Sequence, residues 1–419
     1  MECIEIFGGQ PLKGSVKVQG AKNTVLPIMA AAILNHGISV LHNCPKIVDV
    51  YYMIQILEHI GCVIKWEENT LIINAATLKS CYIPAQFANK MRSSIFLLGS
   101  LLGRFNEAKL PYPGGCVIGE RPIGLHLEGL RKLNVVITEE ESELTARVSK
   151  LTGGVVNFSF PSVGATENIV LAAVCAQGTT RIMGAAREPE IIELCRFLNE
   201  MGASITGAGS NEILIEGVEE LHNVEFNIVA DRIVAGTYIL AALSTRGRIN
   251  LVDAPISHIS SLLDTISKMG VVYKETKEGL YIDATGRFAT IPFVNTEPYP
   301  GFPTDLQSQL MAVLAGIPGE SCICENLFEA RFKVAKELNS MGARITYNDR
   351  IAKICGVPKL HGAMVYAEEL RGGAALVVAA VGAEGLTLIE NRNFIDRGYE
   401  DICRDLTYLG AKITSKGSR

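Results

Sequence analysis

The sequence predicts an α/β protein built from six copies of one unit, three copies to each of two domains. Three observations predict it. One phrase, the end of an amphipathic helix running into a strand, recurs six times along the 419 residues. A second helix, apolar nearly all round, precedes each copy of that phrase. A short strand runs between the two helices.

The recurring phrase reads LEHIGCVI (57–64), LRKLNVVI (130–137), LNEMGASI (198–205), ISKMGVVY (266–273), LNSMGARI (338–345) and LTYLGAKI (406–413). In each, an apolar spacing of three to four gives way to a glycine, or to Asn134 in the second copy, and then to alternation. That is a helix, a left-handed C-cap and a strand. The cap positions are 61, 134, 202, 270, 342 and 410, so the steps between them are 73, 68, 68, 72 and 68 residues. Such regularity marks an internal repeat.

The apolar helices read NTVLPIMAAAILNHG, SSIFLLGSLLG, ENIVLAAVCAQG, RIVAGTYILAALSTRG, LQSQLMAVLAGIPG and GGAALVVAAVGAEG. With no polar face they belong inside. The strands that follow include GISVLHNCP, GTTRIMGAA, GRINLVDAP and GLTLIENRN, and further strands read TLIIN, EILIEG and GLYIDA. Six buried helices exceed one small core, so the economical arrangement is two domains of three units, buried helices inside and sheets and outer helices around them. The boundary falls between the third and fourth units, near 223–229. The first strand, CIEIFGG, precedes the first unit and could complete either domain.

Composition narrows the function classes. The chain is 48% hydrophobic and 20% charged with a net charge of −5, which offers no broad basic face for nucleic acid. The start, MECIEIFGGQ, lacks the basic and apolar runs of a signal peptide. The longest apolar stretches, such as AALVVAAVGA (374–383), are about half a membrane span. Eleven cysteines without a CxxC pair point to a reduced, cytoplasmic protein, and seven histidines without HxxxH or HExxH spacing give no reason to expect a metal. Cys322 and Cys324, one residue apart, suit a strand.

Chemistry gathers at the start of each buried helix. Successive units place there Lys22 and Asn23, Lys90 and Arg92, Ser162 to Glu167, Asp231 and Arg232, Thr304 and Asp305, and Arg371. Capping accounts for Thr304, Asp305 and Asp231. It does not account for Lys22, Arg92 and Arg371, because a cation at a helix N-terminus opposes the macrodipole at a cost of about 0.3–1 kcal/mol. Cations joined to free N–H groups would instead hold an anion. If the buried helices run parallel, these ends converge, and two such ends facing each other would make an interdomain cleft. A second layer follows the middle strands: Cys116 and Arg121, Arg187 and Glu188, Glu329 and Arg331, Asp396 and Arg397. The arginine fork is suited to phosphate and carboxylate. Cys116 sits in PYPGGCVIGERP (111–122), too rich in proline and glycine for a regular element. A thiol beside several cations has a lowered pKa and is reactive.

The motifs GAKN (20–23), GGCVIGERP (114–122), SVGATEN (162–168), AREPEI (186–191), DRIVAGT (231–237), FPTD (302–305) and IDRGYE (395–400) resemble, from end to end, those of the UDP-N-acetylglucosamine 1-carboxyvinyltransferase family. The resemblance implies the enolpyruvyl transferase fold: two inside-out α/β barrel domains of three repeats each. It places residues 1–21 with 230–419 and leaves 22–229 as the other domain. It implies transfer of the enolpyruvyl group of phosphoenolpyruvate to the 3′-hydroxyl of UDP-N-acetylglucosamine (UDP-GlcNAc), with release of phosphate, by addition and elimination without metal or cofactor. That is the first committed step of peptidoglycan synthesis.

Carried over by motif, Lys22, Asn23, Arg121, Arg331, Arg371 and Arg397 serve phosphoenolpyruvate. Asn23, Arg92, Arg121, Pro122, Ile123, Gly124, Leu125, Ser162, Val163, Gly164, Asp305 and Leu327 serve the sugar nucleotide. Asp305 is the base for the hydroxyl, and Cys116 is the acid that protonates the methylene and the target of the epoxide phosphonate fosfomycin; Lys22 and Arg397 complete the catalytic set. Gly124 departs from the family pattern, where an aspartate is common, as do Phe96 for a frequent tryptophan and Ala230 for a proline. Two other readings share the fold: transfer to shikimate 3-phosphate, for which a serine-rich start and no loop cysteine are expected, and a non-catalytic sugar-nucleotide-binding paralogue.

Overall fold

In a computed structural model, the described residues are 2–112, 119, 121–140 and 142–417. They form two compact units. One comprises residues up to 19 with those from 230 onward; the other comprises 20–112 with 121–229. Each has its own apolar core.

The six caps are one motif repeated. Gly61, Asn134, Gly202, Gly270, Gly342 and Gly410 all have positive φ, between 66° and 114°. After each, the next N–H donates to the carbonyl five residues back: Cys62 to Leu57, Val135 to Leu130, Ala203 to Leu198, Val271 to Ile266, Ala343 to Leu338 and Ala411 to Leu406. This is the Schellman geometry that closes a helix and redirects the chain into a strand. It is why the phrase was legible: the turn needs a residue tolerant of the left-handed region.

The apolar helices are Lys22–Ala31, Leu97–Phe105, Val163–Ala173, Arg232–Ser244, Thr304–Ala315 and Leu370–Gly382. Nearly every residue of Leu370–Gly382 is buried, as its sequence requires. In the unit that holds them, the last three run parallel. Asp305 and Arg371 meet at the starts of their helices. Gln309 Nε2 donates to Thr237 Oγ1, each a turn and a half along its helix. Gly382 lies against Ser244 where both helices end. The other unit repeats the pattern, with Asn168 against Ile95 and Gly99 near the starts and Cys175 against Gly103 at the ends.

The strands of the described residues form six sheets. Five follow one plan, in which a short strand pairs parallel with a middle strand that pairs antiparallel with the next. Thus Met364–Tyr366 runs parallel to Leu386–Glu390, and Val155–Asn157 runs parallel to Thr179–Met183. The sixth sheet, Glu107–Pro111, Glu143–Arg147 and Val136–Glu139, keeps only a single parallel bridge, Tyr82 to Lys109. The strand Cys3–Phe7 lies between Leu386–Glu390 and Lys412–Lys416, antiparallel to both. Cys322 and Cys324 are on the strand Gly319–Cys324. Among the described residues, no helix is long and apolar enough to cross a membrane.

Candidate active site

Within each unit, several of the predicted residues stand at the N-terminal ends of the buried helices, with different electrostatics in the two units. In the unit holding residues 230–417, Asp305 is the centre. Arg331 Nη2 donates to its Oδ1 at 2.5 Å and Arg371 Nη2 to its Oδ2 at 2.6 Å. The two guanidinium side chains are almost wholly buried, at 2% and 5% exposure, while the carboxylate keeps 24%. Burial by itself would raise the Asp305 carboxyl, but the Arg371 and Arg331 charges outweigh it and hold the group well below the ordinary carboxylate range. Arg371 moves in the opposite sense: burial would lower it, and the Asp305 charge raises it above its usual value.

This corrects the capping expected of Thr304 and Asp305. Pro303 occupies the N-cap, and it makes no side-chain cap bond. Thr304 Oγ1 donates instead to Glu325 Oε2 at 2.9 Å. Glu325 is fully buried, and its other oxygen accepts from Leu327 N–H at 2.9 Å and from Phe328 N–H at 3.2 Å. It therefore fixes the turn that carries Leu327. Asp231 does cap, accepting from Ile233 and Val234 N–H. So does Glu369, which accepts from the Arg371 and Gly372 N–H groups and leaves the Arg371 guanidinium to Asp305. Arg397 is half-buried in the turn after Arg392–Phe394, and its neighbour Asp396 is taken by Arg392 Nε at 3.0 Å.

In the unit holding residues 20–229, Lys22 opens its helix and its Nζ meets Asp49 Oδ2 at 2.7 Å, with side chains 11% and 2% exposed. Asn23 Nδ2 reaches Glu190 Oε1 at 3.5 Å. Glu167, Glu188 and Glu190 form a buried carboxyl cluster there. Burial, reinforced by the charges of Glu190 and Glu188, raises Glu167 well above its ordinary value, a shift toward the protonated form. Ser162 caps its helix, accepting from Ala165 N–H.

Arg92 Nη2 donates to the Arg121 carbonyl. Arg121 and Pro122 are exposed, Ile123 is buried, Gly124 is exposed and Leu125 is half-buried at the start of helix Gly124–Arg131. Next to them, Asn168 Nδ2 donates to His126 Nδ1 at 2.8 Å and to the Ile95 carbonyl at 3.0 Å. A ring nitrogen that accepts must be unprotonated, and burial with the Arg92 and Arg121 charges pushes His126 down to about 3. The ring lies beneath Gly164, where an added Cβ would come within 3.0 Å of it, which is why Val163 is followed by glycine. Gly124, in contrast, has open space around it.

Cys116 lies outside the described residues. Among the described cysteines, burial pushes Cys62 and Cys195 up to about 12, the opposite of an activated thiol. Sequence reasoning missed Asp49, Glu190, Glu325 and His126. An acid in a helix's first turn signals dipole compensation as readily as it signals a partner for Lys22.

Comparison with known proteins places the chain. A sequence model of the EPSP synthase (3-phosphoshikimate 1-carboxyvinyltransferase) family matches residues 6–406. The chain is 48% identical over 413 residues, 99% of both chains, to UDP-N-acetylglucosamine 1-carboxyvinyltransferase 2 of Caldanaerobacter subterraneus subsp. tengcongensis. It is 46% identical over 422 residues, 99% of this chain and 95% of the relative, to UDP-N-acetylglucosamine 1-carboxyvinyltransferase 1 of Symbiobacterium thermophilum. The chain belongs to the UDP-N-acetylglucosamine 1-carboxyvinyltransferase family. Like its family, it is a transferase. Solved structures show the same fold. The enolpyruvyl transferase NikO from Streptomyces tendae superposes with a TM-score of 0.88 at 24% identity, covering 100% and 99% of the two chains. EPSP synthase from Acinetobacter baumannii gives 0.77 at 17%, covering both chains fully. The enolpyruvyl transferase fold is thus shared with proteins only 17–24% identical to this chain.

Proposed function

We propose that the protein transfers the enolpyruvyl group of phosphoenolpyruvate to the 3′-hydroxyl of UDP-GlcNAc, releasing phosphate, in the cytoplasmic stage of peptidoglycan synthesis. The observation that carries this reading is the Asp305 carboxylate gripped by two buried guanidinium groups at the heads of buried helices, in a chain with full-length relatives of that name.

The chemistry runs in two steps. The sugar hydroxyl oxygen bonds to C2 of phosphoenolpyruvate while the C3 methylene takes a proton, giving a tetrahedral adduct. That adduct then loses a proton from C3 and the C2–O bond to phosphate. Phosphoenolpyruvate carries a carboxylate and a phosphate, for which Lys22, Arg121 and Arg397, with Arg331 and Arg371, are the matching cations. Asn23, Arg92, the stretch from Arg121 to Leu125, Ser162 to Gly164 and Leu327 are assigned to the nucleotide. Cys116 is assigned as proton donor to C3.

Asp305 is assigned as the base, and its surroundings set a condition. A carboxylate neutralised by Arg331 and Arg371 is a poor proton acceptor. An anionic substrate that draws one guanidinium away restores its basicity, so proton abstraction waits for phosphoenolpyruvate. The test is phosphate release from phosphoenolpyruvate with UDP-GlcNAc, with shikimate 3-phosphate and with neither. Release with UDP-GlcNAc alone is expected. Release with shikimate 3-phosphate instead, or UDP-GlcNAc binding without turnover, would overturn the assignment.

A further inference from the structure

Gln19 is the last residue before the chain leaves the unit of Asp305, and it is buried. Its carboxamide makes two bonds to one turn. Nε2 donates to the Gly398 carbonyl at 3.1 Å, and Oε1 accepts from Glu400 N–H at 2.8 Å. Its own backbone carbonyl accepts from Asp231 N–H at 2.8 Å, on the segment by which the chain returns to this unit. The turn so held carries Arg397. Residues 398–400 belong to no helix or strand; the Gly398 and Tyr399 N–H groups bond to the Ile395 carbonyl, and Gln19 takes the Gly398 carbonyl and the Glu400 N–H on the far side of the turn. On its inner side the turn is pinned by Tyr399, fully buried, whose hydroxyl lies 2.7 Å from Thr237 Oγ1.

An arginine has four rotatable side-chain bonds, and where its guanidinium arrives depends first on the direction of its Cα–Cβ bond. We propose that Gln19 is a positioning residue for Arg397: its carboxamide clamps the backbone at Gly398 and Glu400 and so sets the direction in which Arg397 leaves the turn. The clamp ties the Arg397 turn to both segments at which the chain crosses between units, residues 19 and 231. The inference rests on the reading above that Arg397 binds phosphoenolpyruvate. It also explains a buried glutamine at the end of a strand segment, where an apolar residue would pack as well but could bridge neither peptide group.

Two variants test it, with wild-type turnover measured first; a wild type without UDP-GlcNAc-dependent phosphate release refutes the functional reading, while amide exchange at Glu400 still reads the clamp. Gln19→Met keeps the side-chain length and removes both bonds; Gln19→Glu keeps the acceptor and removes the donor. For Gln19→Met, KM for phosphoenolpyruvate is expected to rise about tenfold, the scale of a lost buried hydrogen bond, with KM for UDP-GlcNAc within about twofold. Gln19→Glu should lie between wild type and Gln19→Met, and covers the case in which the methionine variant folds poorly. Glu400 N–H exchange should accelerate in Gln19→Met. Combined with Arg397→Lys, Gln19→Met should add little further loss, because both act through one contact. An unchanged phosphoenolpyruvate KM in both variants, equal rises in both KM values, or full additivity with Arg397→Lys would overturn the proposal.

Discussion

The heads of the buried helices solve the same problem in opposite ways in the two units. Around Asp305, one carboxylate faces two buried guanidinium groups and is held ionised. Around Asn23, three carboxyl groups crowd together and the Glu167 pKa is raised well above its ordinary value, while Lys22 pairs with Asp49. The repeat therefore dictates where these charged groups stand, at the helix heads. It does not dictate their charge. That is decided by which side chains the neighbouring turns send in: Arg331 to one, Glu188 and Glu190 to the other.

The largest test breaks the cation-rich side. Asp305→Asn leaves two buried guanidinium groups without their counter-charge, so unfolding free energy should fall by about 3–5 kcal/mol. Removing the assigned base should lower turnover by about 10²–10⁴-fold. Denaturant unfolding and phosphate release measure the two. Unchanged stability would mean that the Arg331–Asp305–Arg371 contacts are not part of the folded protein.

The carboxyl-rich side is probed by pH. Glu167 has a folded pKa raised above its ordinary 4.5, so the folded state holds a proton that the unfolded state gives up. Its contribution to stability is full below 4.5 and is lost as pH rises toward the folded value. Glu167→Gln removes that loss. Its Tm should match wild type near pH 4.5 and exceed it at pH 8, by about 2–4 °C for each kcal/mol recovered. A parallel pair of Tm profiles would refute a neutral Glu167.

The smallest effect sharpens the comparison at an exposed helix head. Gly124 opens its helix with empty space where a Cβ would stand, so Gly124→Asp fits without displacement. An acid in the first turn should stabilise by about 0.3–1 kcal/mol. A fall in Tm would show that the backbone at Gly124 needs glycine. A tighter UDP-GlcNAc Kd in the same variant would show that the side chain, and not only the backbone, meets the nucleotide.

Much of the fold was legible because its signals are local. Six left-handed caps, each within a phrase of eight residues, announce six helix-to-strand turns, and all six close with the same hydrogen bond. The apolar helices carry no polar face to misread. The misreading was at Asp305. A short acid at a helix start satisfies the capping rule as well as the observed ion pairs do, and nothing within a few residues tells the two apart. Arg371 is 66 residues away.

The sequence by itself determined the repeat, the buried helices and the helix heads at which charged groups stand, since helix period, cap and apolar face are set by residues within a turn or two of one another. Only the tertiary structure decided the partnerships: Lys22 with Asp49, Asp305 with Arg331 and Arg371, and Gln19 with a turn 379 residues away. Burial and the distance between charges set each of these interactions, and both exist only once the helices and sheets have packed.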